Sequence, residues 1–206
     1  MFEDVIKFIQ NMYKTTGFIP LHEPKIIGNE KKYLNECIDS TFISSAGKFV
    51  DKLENEIENY TGAKYAIATN SGTSALHIAL LLANVENGDE VITQPLTFVA
   101  TCNAISYCNA KPILTDINKE DFFLSISNIK KNITKKTKAI IPVHIYGQVC
   151  NIEEILDVAK DNNLKVIEDC AHAVGTFHKS KHVGTLGSTG CFSFYPTKNI
   201  TTAEGG

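Results

Sequence analysis

Short apolar, β-rich runs recur along the chain at Lys64–Thr69, Glu90–Thr93, Pro112–Thr115, Ala139–Val143, Lys165–Glu168 and Cys191–Phe194. Stretches of helical periodicity separate them at Thr73–Ala83, Val99–Tyr107 and Ile152–Asn162. The runs are nearly continuous in apolar residues, which suits strands of a parallel sheet covered on both faces. Strand–helix alternation of this kind predicts a three-layer, open, mostly parallel α/β sheet. Ligands of such sheets bind beyond the carboxyl ends of the strands. Asn70–Thr73, Phe98, Asp169 and Ser193 all follow strand runs at that end.

The first 62 residues follow a different pattern. Met1–Gln10 reads as a short amphipathic helix, and a turn-rich linker with Gly17, Pro20 and Pro24 follows it. Asn29–Ser40 and Lys48–Tyr60 read as two further amphipathic helices around the small, uncharged loop Thr41–Gly47, the second helix ending near Gly62. With no internal repeat or long linker, the expectation is an N-terminal helical segment, residues 1–62, packed on one main domain, residues 63–206. A net charge of -3 gives no reason to expect nucleic acid or an anionic membrane as partner. No apolar run has spanning length and Met1–Gln10 lacks a basic leader, so a cytoplasmic location is expected. The six cysteines form no CxxC pair and read as reduced core thiols. His172, His178 and His182 complete no metal-ligand spacing, so no metal is expected.

Four segments carry chemistry. Thr69–Leu76 is a strand, a turn of small residues, then a helix; Gly72 lets backbone approach an anion, and the Ser71 and Thr73 hydroxyls and helix-start amides suit a phosphate. The same residues serve equally as an ordinary helix cap. Asp169 ends the apolar run Val166–Ile167, where a carboxylate needs a partner such as a protonated ring nitrogen, and His172 lies three residues on. Glu168, its neighbour, is a weaker candidate because it points to the opposite face. Ser193–Lys198 places a lysine among aromatic and hydroxyl-bearing residues, where loss of water lowers its proton affinity. Phe98, in Pro95–Ala100, offers a ring for stacking, although composition alone makes it a core residue. A carboxylate at one strand end and a lysine after another are the pair that a pyridoxal phosphate enzyme requires.

Together these segments resemble the DegT/DnrJ/StrS family of nucleotide-sugar aminotransferases, which are fold-type-I pyridoxal phosphate enzymes. The resemblance runs from about Ile19 to Gly206 and is most specific in Asn70–Leu76, Glu168–Ala173, and Phe192–Phe194 with Lys198 and Glu204-Gly205-Gly206. It implies that Lys198 is the catalytic residue, holding pyridoxal 5′-phosphate as a Schiff base and shuttling protons. It further implies that Asp169 holds the pyridine nitrogen, that Gly72, Thr73 and Ser193 bind the phosphate, that Phe98 stacks on the ring, and that His172 contacts its edge. The lysine argues against the dehydratase-like branch, which carries His there.

The reaction implied is transamination of a nucleotide-linked 4-keto-6-deoxy sugar to a 4-amino sugar, with L-glutamate as amino donor, in surface polysaccharide or nonulosonic acid biosynthesis. Phe18–Pro24, with Gly28–Glu30, looks most like the subgroup serving legionaminic-acid-type sugars. Family members are homodimers and continue beyond the Glu-Gly-Gly motif to finish the large domain and add a small C-terminal domain. The expectation is therefore a C-terminally truncated large domain, and the alternative is a non-catalytic remnant that binds cofactor or a partner chain without turnover.

Overall fold

The computed structural model describes residues 2–20 and 22–206; Met1 of the first helical segment and Leu21 of the Phe18–Pro24 segment lie outside the described residues. In chain order come α1 (Glu3–Tyr13), α2 (Glu30–Ser40), α3 (Lys48–Thr61), α4 (Gly72–Leu82), β1 (Glu90–Thr93), α5 (Val99–Tyr107), β2 (Lys111–Leu114), α6 (Ile126–Asn132), β3 (Thr137–Ile141), α7 (Ile152–Asp161), β4 (Lys165–Asp169), β5 (Phe177–His178), β6 (Lys181–His182) and β7 (Thr189–Cys191). The main sheet has the order β2-β1-β3-β4-β7 with every pairing parallel. This is the open α/β sheet expected.

Alternation along each strand sorts the apolar residues into two layers. Val91, Ala139, Ile141, Ile167 and Cys191 face Leu76, Ala79 and Leu80 of α4 and Ala104 and Ile105 of α5. Ile92, Ile140 and Val166 face Ile129 of α6 and Ile152, Ile155, Val158 and Ala159 of α7. Each fully buried Ile or Leu contributes roughly 1.5–3 kcal/mol, so this double covering holds the strand ends rigidly in register. Local signals set the helix ends: the Ser71 hydroxyl accepts the Ser74 amide at the start of α4, and Gly62, at φ 76, ends α3 in the left-handed conformation.

One expected strand is absent. Lys64–Thr69 is extended but carries no sheet pairing along its length; its Ala66 and Ala68 amides donate to Glu58 and Glu54 of α3 instead. Only Thr69 exchanges a pair of backbone hydrogen bonds, with Gly206, at 2.8 and 3.0 Å. A groove of about 600 Å³, lined by Leu53, Ile57, Ile67, Leu82 and Phe194 among others, separates this segment from β7. Apolar residues here had no neighbouring backbone with which to form a ladder. The last strand also ends sooner than expected, at Cys191, and Ser193–Gly206 forms a loop whose Phe194 amide donates to Gly205 and whose Phe194 carbonyl accepts the Thr202 amide. Helix α6, the β5–β6 hairpin and a single helical turn at Ile145–Gly147 were not expected, because elements this short carry no readable period.

Candidate active site

Strand parity decides what surrounds Asp169. Ile167 packs toward α4 and α5, so Asp169, two residues on, points the same way. There its Oδ2 accepts the Thr101 hydroxyl of α5 at 2.8 Å and its Oδ1 accepts the Ala171 amide at 3.1 Å. Burial pushes the Asp169 carboxyl above its ordinary value, against the Thr101 hydroxyl, the Ala171 amide and the positive field of His172 and Lys198. The Lys198 ammonium lies over the Phe98 ring, 5.9 Å from its centre. Burial holds that lysine below its ordinary value, with Asp169 pulling the other way. Phe98 is 71% exposed at the start of α5, so its ring stays open for a ligand rather than joining the core.

His172 is half-buried beside these groups. It stacks on Tyr146, with ring centres 5.4 Å apart and planes 10° apart, and its Nδ1 accepts the Tyr146 amide at 3.4 Å. Burial, reinforced by Lys198 and opposed by Asp169, lowers its proton affinity. An imidazole that accepts at Nδ1 presents Nε2–H outward as a donor.

Asp169 pairs with Cys191 across β4 and β7, and Ser193 continues the same face toward the start of α4. A Cβ added at Gly72 would lie 2.8 Å from Ser193 Cβ and 2.9 Å from the Phe192 carbonyl. Glycine at position 72 is thus what allows the α4 N-terminus, with its free amides at Gly72 and Thr73, to lie against Ser193. The Ser71 hydroxyl is committed to capping, so the cap and the anion cradle coexist in one turn. All seven residues singled out in the sequence therefore gather at the carboxyl end of the sheet.

Two participants were not singled out. Thr101 sits on the inward stripe of α5 with Ala104 and Ile105, and a hydroxyl on an apolar stripe was the available signal. Tyr146 is held at φ 52, in the left-handed region, which the Tyr146-Gly147 pair alone does not reveal. Glu168, the weaker candidate of the sequence, faces the other layer, where His144 Nε2 lies 3.0 Å away and the amides of Gly184, Leu186 and Gly187 donate at 2.9, 2.8 and 2.7 Å. Among the described residues, His144, Glu168 and Cys170 also bring possible metal ligands within 4.8 Å of one another. Both Glu168 oxygens and both His144 nitrogens already have protein partners, so the cluster works as a structural knot.

Residues 24–206 match the model of the DegT/DnrJ/EryC1/StrS aminotransferase family. The chain belongs to that family. Within it, GDP-perosamine synthase of Escherichia coli O157:H7 is 49% identical over 189 residues, covering 92% of this chain and 52% of that enzyme. The Caulobacter vibrioides enzyme of the same name is 47% identical over 188 residues, covering 91% and 51%. Among solved structures, the Streptococcus pneumoniae sugar aminotransferase Spr1654 in its PMP form matches with a TM-score of 0.85 at 30% identity, covering 91% of this chain and 51% of that one. An aminotransferase from Psychrobacter cryohalolentis matches at 0.86 and 34%, covering 92% and 48%. The chain spans about half the length of the curated relatives it matches. DegT-family aminotransferases use pyridoxal phosphate, and Spr1654 has been solved in both PLP and PMP forms. No helix among the described residues is long and apolar enough to cross a membrane.

Proposed function

We propose that this chain is the cofactor-binding half of a nucleotide-sugar aminotransferase and that Lys198, Asp169, Gly72, Thr73, Ser193, Phe98 and His172 hold pyridoxal phosphate. The observation that carries this reading is the convergence of a buried carboxylate, a lysine with lowered proton affinity and an open aromatic ring at one end of the sheet. Beside them, the glycine-lined start of α4 meets Ser193. The residues fit the cofactor in charge and shape: a buried anion for a ring N–H, helix-start amides and hydroxyls for a phosphate, and an amine for an aldehyde. When bound, pyridoxal phosphate supplies the electron sink and carries the amino group between donor and acceptor. Asp169 keeps a proton on the ring nitrogen, Lys198 accepts and returns protons at Nζ, Phe98 covers one ring face, and His172 donates from Nε2 to the ring edge.

We take the acceptor to be a nucleotide-linked 4-keto-6-deoxy sugar and the donor L-glutamate. Relatives named for GDP-perosamine support a GDP-linked sugar, whereas the Phe18–Pro24 resemblance supports the legionaminic-acid branch. Residues 1–62 act as a helical flank to the cofactor-binding unit of residues 63–206. Homodimerisation would cover Ile78, Leu81 and Leu82, which leave α4 apolar on its outer side as well. An activated nucleotide sugar as substrate makes the cytoplasm the compartment. The second reading is cofactor binding without turnover.

Incubation with pyridoxal phosphate followed by borohydride reduction and peptide mapping tests the site. The expected result is a pyridoxyl group on Lys198 and none in Lys198→Ala. Label elsewhere, or none at all, rejects the assignment. Assay with GDP-4-keto-6-deoxy sugar and glutamate then separates the two readings, because the remnant would bind cofactor and form no amino sugar.

A further inference from the structure

Asp169 is buried in an apolar layer, where a bare carboxylate is costly. Thr101, fully buried on the inward stripe of α5, donates to its Oδ2 at 2.8 Å. A hydroxyl has one proton, and this one is committed to the carboxylate. Thr97 Oγ1 lies 2.8 Å from Thr101 Oγ1, so the proton in that second contact comes from Thr97. Two donors thus stand in series before one anion, and a hydroxyl that accepts a hydrogen bond donates more strongly. Among the described residues Thr97 caps no amide, and Thr101 shares its buried stripe with the apolar Ala104 and Ile105.

We propose that Thr97 and Thr101 form a donor relay that keeps the Asp169 carboxylate ionised and aimed, which makes Thr101 a positioning residue for the ring-nitrogen contact. The last clause rests on the role given to Asp169 above. The relay explains how a carboxylate can be buried deeply enough to exclude water and still remain an anion. It also explains why a polar residue interrupts the stripe of α5 at one position only, directly opposite the end of β4.

The unloaded chain tests the relay without cofactor. With ¹³C-carboxyl aspartate incorporated, the Asp169 resonance is identified by its loss in Asp169→Asn and is followed against pH. A hydrogen bond from a neutral donor to an ion corresponds to roughly one pH unit or more. Thr101→Val, which keeps the shape and removes the donor, is expected to move the Asp169 midpoint up by about that amount, and Thr101→Ser to restore it. Thr97→Val, at a half-buried site that leaves the core intact, is expected to move it the same way by less. Unchanged midpoints in Thr101→Val and Thr97→Val would overturn the relay, and Thr97→Val decides alone if Thr101→Val does not fold. With ¹⁵N-labelled pyridoxal phosphate, the ring-nitrogen resonance of Thr101→Val should move toward its unprotonated position. A shifted carboxylate beside an unchanged ring nitrogen would sustain the relay and reject the Asp169 assignment instead.

Discussion

His144 Nε2 and Glu168 Oε2 meet 3.0 Å apart with neither side chain exposed, on the face of β4 opposite Asp169. Cys150 donates its amide to His144 Nδ1, so the imidazole gives its own proton from Nε2 to the carboxylate. The main chain repeats the tie: the His144 amide donates to the Asp169 carbonyl, and the Asp169 amide to Pro142. Side-chain and backbone contacts together lock the ends of β3 and β4 where Asp169 leaves the sheet. Glu168→Gln would set an NH₂ against amide donors and remove the charge. Loss of about 1–3 kcal/mol is expected, the cost of leaving buried donors without an acceptor, read as a lower urea midpoint with unchanged slope.

The same carboxylate sets an acid dependence. Burial pushes Glu168 up, but His144 and the Gly184 and Gly187 amides outweigh it and leave the carboxyl below its ordinary value. Its folded proton affinity is therefore lower than in the unfolded chain, near pKa ~4.3. The stability it contributes is present above that pH and is lost as pH falls through the lower folded value. Urea titrations from pH 7 to 3 should show a steeper acid loss in the native sequence than in Glu168→Gln. Parallel curves would contradict this.

Gly72→Ala sets two effects against each other. Helix propensity favours alanine by up to about 1 kcal/mol. The new Cβ would lie 2.8 Å from Ser193 Cβ and 2.9 Å from the Phe192 carbonyl, a clash with backbone that cannot rotate away. Overpacking of that kind costs about 1–3 kcal/mol, so the clash wins. Thermal unfolding should fall, and pyridoxal phosphate affinity should weaken at least tenfold by fluorescence titration.

Thiol reactivity reports on the core. Cys108, Cys150, Cys170 and Cys191 are buried, and Cys37 and Cys102 are partly exposed. Burial, with Glu168 adding to it, raises the Cys150 thiol, and burial with Asp169 raises Cys191, so neither forms a thiolate near neutral pH. Ellman's reagent should modify Cys37 first, then Cys102, whose thiol burial also raises. The other four should react only in denaturant. Early modification of Cys170 would show that the layer under Asp169 opens.

The outer side of α4 is expected to drive association. Ile78, Leu81 and Leu82 are 45%, 52% and 74% exposed, beside the groove that β7 leaves open. Apolar patches of this kind mark interfaces or aggregation sites. Leu81→Lys with Leu82→Glu should lower the sedimentation coefficient at high concentration and leave the far-UV circular dichroism unchanged.

Most strands and the long helices were readable because double covering writes continuous apolar runs and 3.6-residue stripes directly into the chain. Glu90–Thr93 and Val99–Tyr107 match the structure residue for residue. Lys64–Thr69 misled for the complementary reason: an apolar run shows that a segment is fit to be covered, while a strand also needs a neighbouring backbone. The chemical residues were legible where type and spacing were unusual together, as in Asp169 with His172, or Lys198 after Ser193. Thr97 and Tyr146 were not, since a hydroxyl and a tyrosine in ordinary turn positions carry no signal of their own, and Thr101 offered only a hydroxyl on an apolar stripe.

Local order by itself determined that the chain alternates strand and helix and which residues alternate in and out of the sheet. Only the tertiary structure decided which partner met each face. Asp169 and Glu168 are neighbours in the chain with the same charge, yet one meets two donors on the α5 side and the other is tied by an imidazole and three amides. The difference lies in α5 bringing Thr101 to one face while His144 and the Gly184–Gly187 turn come to the other. Parity along a strand is a local property, but the groups that meet each face arrive from residues 16 to 68 positions away.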